Sequence, residues 1–137
     1  MNLFAYGTLM DTEIMTQVSG TTHRSQKATL LQYVRKRVSG EVYPAIIKQN
    51  DGSVDGIVYF NVSSEELDRL DKFEGPFYER TEVVAVNDDG ESISTHAYVI
   101  AADSAHQLSN DNWSYEHFLM NHKQLFQGDY HGYDELE

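Results

Sequence analysis

Glu74 is the residue whose neighbours most suggest chemistry, in the segment 70–80 (LDKFEGPFYER). It follows the apolar Phe73 and precedes Gly75 and Pro76, a pair that ends helices and turns the chain sharply. A carboxylate at such a break can be held still and partly removed from water, which suits acid–base chemistry. The competing interpretation is a solvated helix-end residue, the commoner fate of a glutamate.

A second stretch, residues 6–9 (YGTL), lies where a short apolar strand over residues 2–6 meets a helix predicted to begin at Asp11 or Thr12. A glycine turn between a strand and a helix leaves several backbone N–H groups unpaired at one point. Such a point attracts anions, including carboxylates. An ordinary strand-to-helix turn without a ligand is the alternative.

Composition predicts one acidic globular domain over residues 1–128, followed by an acidic tail over residues 129–137. The chain has 137 residues, 40% of them hydrophobic, which is enough for a self-sufficient core. Asp and Glu number 22 against 10 Lys and Arg, and the net charge is −12. Nucleic acid and anionic membrane surfaces are therefore excluded as expected partners. The basic run at residues 35–37 is predicted to be a solvated strand edge.

The chain contains no cysteine, which excludes disulfides, thiolate catalysis and cysteine-based zinc sites. Its N-terminus lacks the charged lead and long apolar run of a secretory signal. No apolar run approaches the roughly 20 residues that span a bilayer. We therefore expect a soluble cytoplasmic protein with no membrane partner; the sequence carries no signal for its oligomeric state.

Hydrophobic periodicity and turn residues predict an α+β fold. Helices are expected near residues 11–18, 63–73 and 113–127, the second with a capping box at Ser63 and Glu66. Asn50-Asp51-Gly52 predicts one hairpin turn and residues 87–90 a second. Six or seven short strands are expected, forming a mixed sheet curled towards a small barrel with two or three flanking helices. The strands are predicted at residues 2–6, 27–38 (one or two strands), 41–48, 54–60, 81–86 and 92–100.

Other catalytic chemistries lack their residues. His117 and His122 lie five apart, about 140° around a helix, so they do not share a face for a metal. No Gly-x-Ser-x-Gly elbow and no phosphate-binding Gly-Lys-Ser/Thr loop occurs. A carboxylate and an anion-binding turn remain, and neither a metal nor a cofactor is expected.

Two motifs resemble one known family. They are residues 4–9 (FAYGTL) and residues 70–75 (LDKFEG), the latter followed by Tyr78 and Arg80. The chain resembles the γ-glutamylcyclotransferase-like family, in particular its γ-glutamylamine cyclotransferase branch. Residues 43–45 (YPA) and Tyr98 also stand where that family tends to have similar residues, and the resemblance spans roughly residues 2–100.

The resemblance implies a small-molecule pocket in a barrel-like core and a cofactor-free enzyme. Its substrate would be a γ-glutamyl amine or amide, whose α-amino group attacks its own γ-carbonyl to give 5-oxoproline and a free amine. Glu74 would be the catalytic acid and base, with its pKa raised by desolvation beside Phe73, Phe77 or Tyr78. The implied substrate-binding residues are Tyr6, Gly7, Thr8, Leu9, Tyr43, Tyr78, Arg80 and Tyr98.

Several of these assignments have structural alternatives. Arg80 also suits a plain ion pair with Glu74 or Glu79, and Tyr78 and Tyr98 suit core aromatics with bonded hydroxyls. Trp113 is most simply a packing residue. At the level of function, the alternatives are a binding protein on the same fold that holds a small carboxylate without turnover, and an interaction module that uses the acidic tail.

Overall fold

The computed structural model describes residues 1–41 and 43–116. Five strands in this part of the chain close into a mixed barrel in the order β1-β3-β2-β4-β5. Every neighbouring pair is antiparallel except β1 and β5, which are parallel and close the barrel. The predicted α+β fold with a sheet curled into a barrel is confirmed. The strands are β1 (Leu3–Ala5), β2 (Ser25–Arg37), β3 (Pro44–Tyr59), β4 (Tyr78–Asn87) and β5 (Ser92–Ile100).

Two α-helices lie among the described residues, α1 (Thr12–Ser19) and α2 (Ser64–Glu74). Short 3₁₀ helices span Thr8–Met10 and Ala102–Gln107. The Asp11 side chain caps α1 by accepting hydrogen bonds from two backbone N–H groups in its first turn. The α1 helix packs against α2 on the outside of the barrel.

The capping box predicted for α2 is present. The Ser63 hydroxyl accepts from the Glu66 N–H, and the Glu66 carboxylate accepts from the Ser63 N–H. Leu67 and Leu70 are fully buried one turn apart, so α2 is anchored along one face. The helix ends at Gly75, whose φ of 79° lies in the region that favours glycine. Glu74 is thereby fixed as the last helical residue.

The apolar residues form two main cores on opposite faces of the sheet. In β1, Phe4 points into the barrel while Leu3 and Ala5 face the helices, as strand alternation requires. The barrel interior is filled by residues from all five strands, and the outer core joins the sheet to both helices. The interior core comprises Phe4, Tyr6, Ala28, Leu30, Ile46, Val54, Val58, Ala85 and Ala97.

The predicted hairpin at residues 50–52 is wrong, because β3 runs through them as one strand. The pairing of β2 with β3 passes from Leu31 opposite Ser53 to Tyr33 opposite Lys48. Residues 49–52 therefore face the single residue Gln32, whose φ is 69°. Gly52 lies so close to the Tyr33 carbonyl that a Cβ would come within 2.3 Å of its oxygen. The turn-forming residues mark a bulge.

The β2–β3 connection lies further back, between Arg37 and Pro44. The Glu41 N–H donates to the Val38 carbonyl at 3.0 Å, and Gly40 takes a φ of 78°. Joining two predicted strands into β3 leaves five strands in the described residues, fewer than the six or seven expected.

The second predicted hairpin, β4 to β5, is confirmed. Its turn is held by the Asn87 side chain, whose carbonyl accepts from the N–H groups of Asp89 and Glu91. The predicted helix over residues 113–127 and the acidic tail fall largely or wholly outside the described residues. Trp113 is described, and it packs in the outer core, as expected of a packing residue.

Gly56 is predicted to be intolerant of any side chain. A Cβ there would come within 2.4 Å of the Ala5 carbonyl oxygen and 2.6 Å of the Phe4 ring. We expect Gly56→Ala to lower the free energy of unfolding by about 1–3 kcal/mol, as overpacking does. Urea denaturation measures it, with Ser53→Ala on the exposed side of the same strand as control. A change equal to the control's would contradict this packing.

Candidate active site

A cavity of about 210 Å³ opens between the end of α2 and the loop that follows β1. It brings together Glu74 and every predicted binding residue except Arg80. The apolar part of its wall comes from β1, Pro44 and Phe73. The lining residues are Leu3, Phe4, Ala5, Tyr6, Gly7, Thr8, Leu9, Tyr43, Pro44, Phe73, Glu74, Tyr78 and Tyr98.

The 6–9 loop presents hydrogen-bond donors to this cavity. The chain turns there through a 3₁₀ helix in which the Met10 N–H donates to the Gly7 carbonyl at 2.9 Å. Within the described part of the chain, the backbone N–H groups of Gly7, Thr8 and Leu9 donate to no acceptor. Three unpaired N–H groups at a helix start can hold a carboxylate or a developing oxyanion.

Two side chains from the barrel hold the 6–9 loop by its carbonyl groups. The Tyr59 hydroxyl donates to the Leu9 carbonyl at 2.7 Å from a buried position. Arg35 Nη1 donates to the Tyr6 carbonyl at 2.8 Å and to the Asp55 carbonyl at 3.1 Å. Arg35 also lies over the Trp113 ring, so it is half-buried and not part of a solvated strand edge as predicted.

Close packing explains the glycine at position 7. A Cβ on Gly7 would lie 2.8 Å from Pro44 Cγ, on the opposite wall of the cavity. Tyr43 lies beside that wall. A side chain at position 7 would therefore clash with Pro44 and force these two parts of the cavity wall apart.

The Glu74 carboxylate stands at the cavity without a partner. Among the described residues it has no hydrogen-bond donor and no ion-pair partner, although part of the residue is reached by solvent. Burial raises its pKa from the ordinary value to about 8, and the negative charge of Asp71 adds to that shift. A carboxyl group with this pKa can both give and take a proton near neutral pH.

Three tyrosine hydroxyls around the cavity already donate their protons to the protein. Tyr6 donates to the Tyr98 carbonyl, Tyr78 to the Pro44 carbonyl at 2.7 Å, and Tyr98 to Asp71 Oδ1 at 2.7 Å. Burial above all, and the Glu74 charge in addition, raises the pKa of each, so they stay neutral. Towards a ligand these oxygens can act only as acceptors.

Arg80 lies outside the cavity lining and forms an ion pair with Asp71. Its Nε is 3.0 Å from Asp71 Oδ1 and its Nη2 is 3.3 Å from Oδ2. Arg80 therefore forms an ion pair, as the structural alternative expected. Its partner is Asp71, whereas the sequence suggested Glu74 or Glu79. Phe77, one of three residues expected to desolvate Glu74, packs edge-on against Tyr78 and does not line the cavity.

Sequence reasoning missed Asp71 as part of this region. The signal that could have found it is spacing, because residues three apart on a helix lie on one side and Asp71 precedes Glu74 by three. Pro44 and the β1 side chains were also missed as cavity walls. The sequence around them looks like that of any buried segment, so no local pattern identifies them as cavity-lining residues.

Metal ligation has no support in the described part of the chain. Within residues 1–41 and 43–116, no three His, Asp or Glu side chains are grouped so that they could bind a metal ion. His117 and His122 lie outside that part. No helix in the same residues is long and apolar enough to cross a membrane.

The family model described as gamma-glutamyl cyclotransferase, AIG2-like, matches residues 3–115. The chain belongs to this gamma-glutamyl cyclotransferase, AIG2-like family. Its relatives include AIG2-like protein A of Arabidopsis thaliana, which is 32% identical over 91% of this chain and 76% of the relative.

Two solved structures share the fold of this chain. A solution structure from Arabidopsis thaliana superposes with a TM-score of 0.71 at 31% identity, covering 93% of this chain and 86% of that one. A structure named gamma-glutamyl cyclotransferase gives a TM-score of 0.65 at 20% identity, covering 73% and 66%. At that identity the second likeness concerns the fold alone.

Glu74→Gln is predicted to stabilise this family member in a pH-dependent way. Because the folded-state pKa is raised, the unfolded chain loses the Glu74 proton near pH 4.5 while the folded chain keeps it to about pH 8. The wild type therefore loses stability across that window and the variant does not. The variant's advantage should grow from near zero at pH 4 to at most roughly 4–5 kcal/mol at pH 9.

Denaturation in urea at a series of pH values measures this difference. Glu79→Gln, which changes an exposed glutamate on β4, is the matched control. A difference between wild type and Glu74→Gln that stays constant from pH 4 to pH 9 would contradict a buried acid.

Proposed function

We propose that this protein is a γ-glutamyl cyclotransferase that converts a γ-glutamyl amine into 5-oxoproline and the free amine. The observation that carries the proposal is one cavity shared by an unpartnered, desolvated carboxylate and three unpaired backbone N–H groups. Membership of the gamma-glutamyl cyclotransferase, AIG2-like family supports it. The reaction needs no cofactor, since nucleophile and electrophile are parts of one substrate.

The polar groups of the cavity match the two charged groups on the glutamyl α-carbon, its carboxylate and its ammonium. The α-carboxylate is placed at the N–H groups of Gly7, Thr8 and Leu9. The α-ammonium, which has only donors, is placed at Glu74 and the tyrosine oxygens, which can only accept. A cavity of about 150 Å³ binds benzene, so about 210 Å³ has room for a glutamyl group.

Glu74 acts as base and then as acid. Its carboxylate takes a proton from the α-ammonium, and the neutral nitrogen attacks the γ-carbonyl carbon to form the ring C–N bond. The protonated Glu74 gives its proton to the leaving nitrogen as the old C–N bond breaks. A further proton passes from the ring nitrogen to the departing amine. Two protons move in total, and Glu74 ends as a carboxylate.

The orientation of the bound substrate supplies much of the rate acceleration beyond that from acid–base catalysis by Glu74. Intramolecular attack within a well-oriented substrate can reach effective molarities of about 10⁵–10⁸ M. The N–H groups of the 6–9 loop that are not engaged by the α-carboxylate can stabilise the oxyanion that develops on the γ-carbonyl. Apolar walls from Phe4 and Phe73 limit the water that would compete for these groups.

The charge of the cavity favours an amine as the leaving group. Among the described residues that line it, none is Lys or Arg, and Glu74 is the charged one. Glu41 acts electrostatically on Tyr43 and Tyr78, which adds negative potential to that side of the cavity. A leaving group with its own carboxylate would be buried beside no cation from the described lining, which costs free energy. A neutral or cationic amine avoids that cost.

Glu74→Gln should abolish cyclisation while the protein stays folded. Losing the acid–base group removes at least about 10³-fold from kcat, within the range that general acid–base catalysis contributes. For the wild type, kcat/KM should rise with pH as the Glu74 carboxylate forms, reach half its maximum near pH 8 and level off about one pH unit above that. Release of 5-oxoproline measures both. Undiminished turnover by the variant would remove Glu74 from the mechanism.

A panel of substrates tests the leaving group. We expect kcat/KM for γ-glutamyl alkylamines to exceed that for γ-glutamyl α-amino acids by at least about tenfold, because only the latter bring a second carboxylate. Equal values would contradict the charge argument and leave cyclisation itself standing. Binding of the panel without any 5-oxoproline would instead favour the alternative, a small-carboxylate-binding protein on this fold.

A further inference from the structure

Asp71 occupies the junction between the cavity and the outside of the barrel. It lies on α2 three residues before Glu74, on the same side of the helix. One face of its carboxylate is held by Arg80 through Nε at 3.0 Å and Nη2 at 3.3 Å. Its Oδ1 also accepts a hydrogen bond from the hydroxyl group of Tyr98, a cavity-lining residue.

We propose that Asp71, clamped by Arg80, is a positioning residue that fixes the Tyr98 hydroxyl as an acceptor and acts by its charge on Glu74. Its effect on turnover rests on the proposed cyclotransferase function. Its effect on Glu74 in the ligand-free protein does not.

The geometry makes Arg80 necessary to this arrangement. Without Arg80, Asp71 and Glu74 would place two carboxyl groups within one helical turn, and the Asp71 side chain would lose the two contacts that orient it. A bidentate guanidinium holds the Asp71 carboxylate in one orientation. Asp71 then accepts the hydrogen bond donated by the Tyr98 hydroxyl, which leaves the Tyr98 oxygen as an acceptor for an ammonium group.

Within residues 1–41 and 43–116, few other charges face Glu74. The remaining titratable groups around it in this part of the chain are tyrosines, on the loop after β1, on the segment before β3, and on β4 and β5. All of them stay neutral near pH 7, because burial raises their pKa values above the ordinary value. The groups that face Glu74 are Asp71, Tyr6, Tyr43, Tyr78 and Tyr98, with Arg80 behind Asp71.

Substituting the two partners of the ion pair should therefore shift the pKa of Glu74 in opposite directions. Asp71→Asn removes a negative charge, so Glu74 should titrate at lower pH by about one unit. Arg80→Gln removes a positive charge from further away, so Glu74 should titrate at higher pH, by on the order of half a unit. A purely structural ion pair predicts the same change for both, since each variant breaks the same contact.

The titration is followed by NMR on protein labelled with ¹³C at the glutamate side-chain carboxyl. The Glu74 signal is assigned by its loss in Glu74→Gln. Asp68→Asn on the exposed side of α2 and Lys27→Gln on exposed β2 are matched charge controls. Asp71→Ser is measured beside Asp71→Asn, so that the result does not depend on one variant folding well.

Opposite shifts in the Asp71 and Arg80 variants, with the controls unmoved, support the proposal. Shifts of the same sign, or an unchanged Glu74 titration in both Asp71 variants, overturn it. No substrate is present, so this result stands whether or not the protein cyclises γ-glutamyl amines.

The acceptor role of Tyr98 is tested separately with Tyr98→Phe, which keeps the Asp71 charge. We expect KM for a γ-glutamyl amine to rise about tenfold, because one ammonium acceptor is lost. Asn keeps an acceptor oxygen for Tyr98, so Asp71→Asn should move the pH profile of kcat/KM more than KM. A pH profile of Asp71→Asn that matches the wild type would overturn the positioning role even if cyclisation is confirmed.

Discussion

A carboxyl group that faces a small cavity without a hydrogen-bond donor keeps its proton to a higher pH than one in water. The surrounding structure must therefore hold Glu74 in this unfavourable position. Glu74 can remain there only because α2 is fixed at both ends. The capping box at Ser63 begins the helix, and Gly75 ends it in a conformation that other residues rarely adopt. Leu67 and Leu70 are buried between these ends, so the last residue of α2 cannot turn away from the cavity without exposing them.

Barrel closure supplies the other half of the site. The parallel contact between β1 and β5 places the loop after β1 beside Tyr98, and the Tyr6 hydroxyl bonds to the backbone of that residue. Tyr59 on β3 and Arg35 on β2 bind carbonyl groups of the same loop. The loop lines the cavity, and with two of its carbonyl groups bonded to the barrel its N–H groups at residues 7–9 keep no acceptor among the described residues. The N–H groups of the loop and the Glu74 carboxyl group therefore come from segments about 65 residues apart in the chain, which the closed barrel brings together.

Local signals predicted the parts of this structure that local physics determines. The capping box of α2, its glycine stop and the β4–β5 turn were all readable, since each depends on residues within four or five positions. Asn50-Asp51-Gly52 misled because the same residues suit a turn and a bulge, and the choice depends on Gln32 and Tyr33 across the strand pair. The Arg80–Asp71 pair and the Pro44 wall escaped for a related reason. Their roles arise from contacts across the barrel, whereas the sequence near Arg80 offered Glu74 and Glu79 as nearer partners.

The position of Glu74 is unfavourable for an ionised carboxylate on every count. It is desolvated, it has Asp71 one turn before it, and it is the last residue of a helix, where the helix dipole places partial negative charge. A protein selected only for stability would put a cation at that position. The same three effects all stabilise the protonated form, which a group needs if it is to return a proton near neutral pH. Arg80 pairs with the neighbouring Asp71, so among the described residues Glu74 is the member of this carboxylate pair without a cationic partner, and it is the member that faces the cavity.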